Sequence, residues 1–193
     1  MTEAKVKKRG KALWLTLLIL LLLSLLFYGI GKAAQKKYYP LRYSEFVTQS
    51  TAEFDLPPYL LYAVLHTESS FDETAVSNVG AMGLTQIMPE TFVWLQQRLG
   101  ETLPQEALFE PQISIRYGAY FYSYLLTKYE GDVKTAAAAY HSGVGQVGKW
   151  LADPKNSKNG KTLDKIPGKN ARHYAQKILK TWEAYKTIYE KES

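Results

Sequence analysis

Glu68 is the acid in this sequence whose neighbours give it chemistry. Leu61, Val64 and Leu65 precede it at three- and four-residue spacing, which puts its carboxyl on the apolar side of a helix. Burial disfavours the charged form, so such a carboxyl keeps its proton closer to neutral pH and can hand it to a leaving oxygen, as glycoside cleavage requires. Ser69, Ser70 and Phe71 follow, an apolar wall with hydroxyls at its edge. Periodicity alone favours the plainer reading, a glutamate that caps or pairs in the last turn of a helix. Asp72 and Glu73 are the nearest other acids and are expected to be exposed.

Other chemistries find less support. His66, His141 and His173 are widely separated, and the chain has no cysteine, so no metal-ligand pattern and no disulfide is expected. Glycines 80, 83, 143, 145 and 148 fit neither a phosphate loop nor a dinucleotide fingerprint. No cofactor is therefore expected. Trp94, Trp150, Trp182 and the 15 tyrosines could stack on sugar faces, but at helical spacing most of them suit a core.

The elements that must hold Glu68 read as helices separated by turns, without an alternating strand pattern. Residues 43–54 offer Phe46, Ser50 and Phe54 on one stripe. Pro57-Pro58 opens the helix that carries Glu68, since proline suits a first turn where no amide donor is needed. Gly80 and Gly83 mark turns, Pro89 starts another helix, and Pro111 begins a longer one reaching about Lys128. Asp132 is placed to cap a helix over Val133–Tyr140, after which Gly143, Gly145 and Gly148 should loosen the chain. Residues 152–169, rich in Lys, Asn and Gly, read as an exposed excursion. A final helix from about Ala171 to Glu190 should turn Tyr174, Ile178, Trp182 and Tyr185 inward.

The 193 residues suit one globular domain. The formal charge of +6 gives no case for a nucleic-acid partner, because eight Lys/Arg and a single acid lie in residues 1–37. The other 156 residues hold 16 basic against 17 acidic groups. Within them, residues 149–180 form a basic arm with nine Lys/Arg and two acids, which suits anionic wall polymers or lipid headgroups, or is simply a solvated face. Residues 12–30 carry no formal charge and are dominated by leucine. As a helix they would span about 28 Å, enough for a bilayer core of about 30 Å. The expected organisation is a basic cytoplasmic segment at 1–11, a transmembrane anchor at 12–30, a connector at 31–40 and a catalytic domain at 41–193. A cleaved signal peptide is the competing reading of the anchor, and either one exports the rest of the chain.

Three ordered blocks then become recognisable: His66-Thr67-Glu68-Ser69-Ser70-Phe71 with Ala75-Val76-Ser77, Gly80-Ala81-Met82-Gly83-Leu84-Thr85-Gln86-Ile87-Met88-Pro89-Glu90-Thr91, and Ala139-Tyr140-His141-Ser142-Gly143-Val144-Gly145-Gln146-Val147. Together they resemble the SLT-type lytic transglycosylases, murein-cleaving proteins of lysozyme-like fold, over roughly residues 45–185. The resemblance implies an all-α, lysozyme-like domain of goose-type/SLT kind, acting without a cofactor or metal on peptidoglycan outside the cytoplasmic membrane. It implies that Glu68 is acid and then base. It implies that Ser77 bonds near the substrate N-acetyl group, that Gln86 contacts the sugar at the cleavage point, that Met88 lines the groove floor, and that Tyr140 bonds the catalytic carboxyl. His141 stands where the family usually has asparagine, Glu110-Pro111 stands for its Asn-Pro, and Ile166-Pro167 lacks the usual Glu-Thr behind it. Wall-synthesis or secretion-complex proteins are partners the resemblance leaves open. So are two other readings, a hydrolytic muramidase on the same fold and a catalytically silent glycan-binding scaffold.

Overall fold

The computed structural model describes residues 3–190, with side chains from Trp14 onward. It divides into two compact units at Pro40 and Leu41. The first is one helix, α1 (Glu3–Tyr38). Its segment Trp14–Tyr38 is long and apolar enough to cross a membrane, and none of it is buried. Residues 31–38, read from the sequence as a connector, continue this helix: nothing among them breaks the backbone hydrogen-bond ladder before Pro40.

The second unit is helical. It contains α2 (Ser44–Glu53), α3 (Pro58–Glu68), α4 (Pro89–Leu99), a 3-10 turn (Gln105–Phe109), α5 (Pro111–Lys128), α6 (Val133–Ser142), α7 (Val144–Leu151) and α8 (Lys169–Tyr189). Among the described residues the only β pairing is two isolated bridges, Val76 with Met82 and Met82 with Ile87. Pro58, Pro89 and Pro111 each occupy the first turn of their helix, where the missing amide costs nothing. Asp132 caps α6, its carboxylate accepting from the Thr135 amide at 2.9 Å.

α3 is the central element. Leu60 through His66 are all buried, so this helix is covered on every side and has no solvent face along its middle. It packs against α8, α2 and α5, while α6 packs against α5, α7 and α8. Each leucine so enclosed contributes roughly 1.5–3 kcal/mol of burial, which fixes α3 as the axle on which Glu68 sits. Two glycines allow the close approaches around it. A side chain at Gly83 would meet the Leu108 carbonyl oxygen at 1.9 Å, and one at Gly118 would meet the Thr85 side chain at 2.4 Å.

Four local expectations need correction. On α2 the buried stripe is Val47, Ser50 and Thr51, with Phe46 and Phe54 only half-buried at its margins. The glycine-containing stretch after α6 forms α7, where Val147 anchors a short helix against the core. Residues 152–168 are not a free excursion: Asn156, Ser157, Leu163 and Ile166 are buried. The Leu163 amide donates to Thr135 Oγ1 at 2.8 Å, and the Lys158 amide to Asp164 Oδ2 at 2.8 Å. Polar composition hid this because the loop satisfies its backbone through its own Asn, Asp and Ser side chains. On α8, Tyr174, Ile178 and Tyr185 turn inward as expected, but Trp182 is half-buried under Lys186, whose ammonium lies 4.6 Å from the ring centroid.

Candidate active site

Glu68 is the last residue of α3. Ser70 and Phe71 directly after it take the left-handed conformation, at φ 53° and 65°. A non-glycine pair there is uncommon and costs free energy; the burial of the Phe71 ring offsets it. The Phe71 amide donates back to the Leu65 carbonyl at 3.4 Å, which ends the helix and turns the chain away. The Glu68 carboxyl is left at a helix end, opening on a cleft of about 880 Å³.

Three tyrosines from three helices surround this carboxyl electrostatically: Tyr122 of α5, Tyr140 of α6 and Tyr174 of α8. The Tyr174 hydroxyl donates to Glu68 Oε1 at 2.5 Å. Tyr140 packs its ring on Phe121 and Tyr122, with centroids 4.9 and 5.2 Å apart. Burial raises all three phenols, so each remains protonated and can only donate or accept as a neutral hydroxyl. Desolvation pushes Glu68 up to about 7, outweighing the Tyr174 hydrogen bond and the nearby Lys177 charge, both of which act to lower it. A carboxyl so placed exchanges its proton near neutral pH, the property an acid/base group needs.

The segment from residue 69 to residue 88 is braced as a rigid plate beside Glu68. Ser69 Oγ donates to the Leu84 carbonyl at 2.9 Å, and the Gly83 amide to the Ala75 carbonyl at 2.9 Å. Thr85 Oγ1 donates to the Ser114 carbonyl at 2.9 Å, tying the plate to α5.

The residues expected to act sit as follows. Glu68 and His141 line the cleft together, His141 stacking on Tyr174 at 4.9 Å and 19°. Partial burial lowers the His141 pKa, so it is neutral at neutral pH. Ser77, Gln86 and Met88 lie on the plate and are not among the residues lining this cleft. Ser77 Oγ accepts from the Ala81 amide at 2.9 Å, Gln86 Nε2 donates to the Ala75 and Gly83 carbonyls at 3.0 and 2.9 Å, and Met88 is half-buried ahead of α4. The expected bond from Tyr140 to the catalytic carboxyl is not made. The Tyr140 hydroxyl donates instead to the Thr85 carbonyl at 2.7 Å, because the plate presents that oxygen to α6 while α8 crosses α3 and brings Tyr174 to the carboxyl. Asp72 and Glu73 are exposed, occupied by Thr74 and by the Tyr43 hydroxyl respectively, and neither lines the cleft.

Tyr174 and Lys177 were not identified as site residues from the sequence. Lys177 Nζ donates to the Thr67 carbonyl at 3.2 Å and stands close enough to Glu68 to act on its charge. The available signal was the α8 spacing, in which residues 169, 172, 173, 176 and 177 form one helical stripe beside Tyr174.

The transglycosylase SLT domain family matches residues 45–163. A transglycosylase of Enterobacteria phage PRD1 is 38% identical over 126 residues, covering 65% of this chain and 43% of the phage protein. The membrane-bound lytic murein transglycosylase C of Yersinia pestis (strain Pestoides F) is 30% identical over 143 residues, covering 68% of this chain and 38% of the relative. Among solved structures, an inactive glutamate-to-glutamine mutant of the lytic transglycosylase Slt from Pseudomonas aeruginosa superposes with a TM-score of 0.70 at 27% identity, over 79% of this chain and 25% of that one. The chain thus spans less than half the length of each of these proteins. The shared fold is the all-α, lysozyme-like one expected from the sequence blocks.

Proposed function

This chain belongs to the transglycosylase SLT domain family, and from that premise we propose that it cleaves the glycan strands of peptidoglycan between N-acetylmuramic acid and N-acetylglucosamine. The observation that carries the reading is Glu68: a carboxyl pushed up to about 7 by burial, fixed by Tyr174, and opening on a large cleft. Glu68 gives its proton to the glycosidic oxygen as the bond to the anomeric carbon breaks, with the substrate N-acetyl carbonyl assisting departure. The resulting carboxylate then takes the proton of the muramoyl 6-hydroxyl, whose oxygen bonds to the anomeric carbon and closes a 1,6-anhydro ring. Glu68 ends protonated, ready for the next strand.

Lysozyme-like retaining hydrolases place a second carboxylate about 5–5.5 Å from the acid. Among the described residues lining this cleft, Glu68 is the only acid, which favours the intramolecular nucleophile over a protein one. A nucleophile already tethered to the reacting sugar has lost its positional entropy, an advantage water lacks. Ser77, Gln86 and Met88 are proposed to meet the glycan along the braced plate, and His141 to meet it at the cleft wall. In the Pseudomonas aeruginosa protein a glutamate-to-glutamine mutant is inactive, which is the behaviour proposed for Glu68→Gln here.

The apolar helix Trp14–Tyr38 supports an anchor in the cytoplasmic membrane. Five Lys/Arg lie among residues 5–11 ahead of the apolar stretch, favouring a cytoplasmic N-terminus and a catalytic unit on the outer face. The test is mass spectrometry of fragments released from purified sacculi. Anhydro-muramoyl ends from the native chain, and a loss of about 10²–10⁴-fold in Glu68→Gln, are expected. Fragments that have each gained a water would make the protein a hydrolytic muramidase, and sacculus binding with no soluble product would make it a scaffold.

A further inference from the structure

Two phenols, Tyr122 on α5 and Tyr129 just after it, have hydroxyls that are buried without a hydrogen-bond partner among the described residues. A hydroxyl taken out of water and left unbonded destabilises a fold, and phenylalanine would fill the same space without that cost. Their surroundings separate the two. The group acting on Tyr129 is another phenol, Tyr124. Tyr122 is fully enclosed, and the group acting on it is the Glu68 carboxyl.

Tyr122 is held still. Its ring packs on Tyr140 at 5.2 Å, and Tyr140 is itself fixed by Phe121 and by its bond to the Thr85 carbonyl. Glu68 is the partner able to turn, since it ends α3 and opens on the cleft. Tyr174 occupies its Oε1, and no described residue bonds its Oε2. The need for a second donor depends on charge. A protonated carboxyl is served by the one bond from Tyr174, whereas a desolvated carboxylate spreads its charge over both oxygens and requires donors on each. The other groups facing Glu68 leave that place open. From α6, Tyr140 is committed to Thr85, and His141 stacks on Tyr174. From α8, Lys177 bonds the Thr67 carbonyl and Arg172 the Pro167 carbonyl, while Lys169 and His173 are exposed along the cleft. His66 of α3 is buried against Phe71 and Tyr185, and Asp72 and Glu73 lie exposed outside the cleft.

We infer that Tyr122 is a positioning residue for Glu68: once the carboxyl has lost its proton, the Tyr122 hydroxyl donates to Oε2, and the carboxylate is held between Tyr174 and Tyr122 until a proton returns. The pairing itself needs only that Glu68 ionises; its use in cleavage rests on the function proposed above.

The test compares the full-length native chain in detergent micelles with Tyr122→Phe and, as a control that also loses an unbonded hydroxyl, Tyr129→Phe. The protonated Glu68 carboxyl is followed by its infrared carbonyl band, assigned by its loss in Glu68→Gln. Removing a donor that favours the carboxylate raises the midpoint, so in Tyr122→Phe the band persists about one pH unit higher than in the native chain. The folded-to-unfolded ratio of this variant, relative to the native chain, accordingly falls about 10-fold between pH 5 and pH 9. Tyr129→Phe shows neither change. A midpoint unmoved in Tyr122→Phe, an equal shift in Tyr129→Phe, or a stability difference independent of pH overturns the inference. Should Tyr122→Phe not fold, Tyr122→Leu gives the same reading, and an unmoved midpoint there overturns the inference equally. On sacculi, the falling limb of the cleavage profile moves up with the midpoint, and kcat drops a few-fold at unchanged KM. If the native chain cuts no strand, the proposed function falls separately, and the infrared midpoint decides the pairing by itself.

Discussion

Two tyrosine–glutamate pairs sit on opposite terms in this molecule. At the cleft, Tyr174 donates to Glu68 at 2.5 Å. Between α5 and the segment after α4, Tyr117 donates to Glu101 at 2.5 Å, and Arg116 reaches the same carboxylate at 2.8 and 3.1 Å while also gripping Glu53. The phenol acts in the same direction in both pairs, favouring the charged carboxylate. Yet Glu68 is pushed up to about 7 and Glu101 is lowered. Glu101 is about a third exposed and has a guanidinium, so its hydrogen bonds outweigh a small desolvation cost. Glu68 has no bonded cation and lies deeper, and desolvation dominates. Depth of burial and the lack of a bonded cation, rather than the phenol that both carboxyls share, separate the carboxyl able to carry a proton from the structural one.

The largest test of that contrast is thermodynamic. The folded protein keeps the Glu68 proton up to about pH 7, whereas an unperturbed glutamate releases it near 4.5. Its ionisation therefore erodes stability as pH rises between those values, and Glu68→Gln removes the erosion. Denaturant unfolding of that variant should show it more stable than the native chain by about 2–3 kcal/mol at pH 8, with the gap closing by pH 4. A gap independent of pH would mean that Glu68 ionises as freely as an exposed carboxyl.

The second test strikes the other pair. Arg116→Met leaves Glu53 and Glu101 without their cation and should cost about 1–2 kcal/mol, modest because all three side chains are partly solvated. Fragment release at a temperature where the variant stays folded should match that of the native chain. Loss of cleavage in a folded Arg116→Met protein would show that the two pairs are coupled. The smallest effect concerns Tyr174→Phe. Cleavage by the native chain should fall as pH climbs through about 7 and Glu68 loses its proton. Removing a bond that favours the carboxylate should move that falling limb upward and slow cleavage a few-fold through poorer positioning. An unmoved limb would remove Tyr174 from the proton's environment.

Much of the helical plan is visible in the order of residues. Pro58, Pro89, Pro111 and Asp132 mark helix starts that the fold uses, because first-turn chemistry is local and acts before any tertiary contact forms. α7 and the buried loop at 152–168 were missed for the converse reason. Their backbone is held by Val147 in the core and by Thr135 receiving the Leu163 amide, contacts that composition and periodicity do not record.

At the site, the sequence by itself placed Glu68 on an apolar face and supplied the blocks that identify the family, since three- and four-residue spacing fixes which side of a helix a carboxyl occupies. It did not determine which phenol reaches that carboxyl. Tyr140 and Tyr174 both point inward from different helices, and periodicity gives each a direction but no distance. The packing of α8 against α3, 106 residues apart at the bond itself, gave the carboxyl to Tyr174 and left Tyr140 to the Thr85 carbonyl. The same crossing set Lys169, Arg172 and Lys177 along the cleft. A hydrogen bond is decided within a few tenths of an ångström, and only the assembled core specifies position that finely.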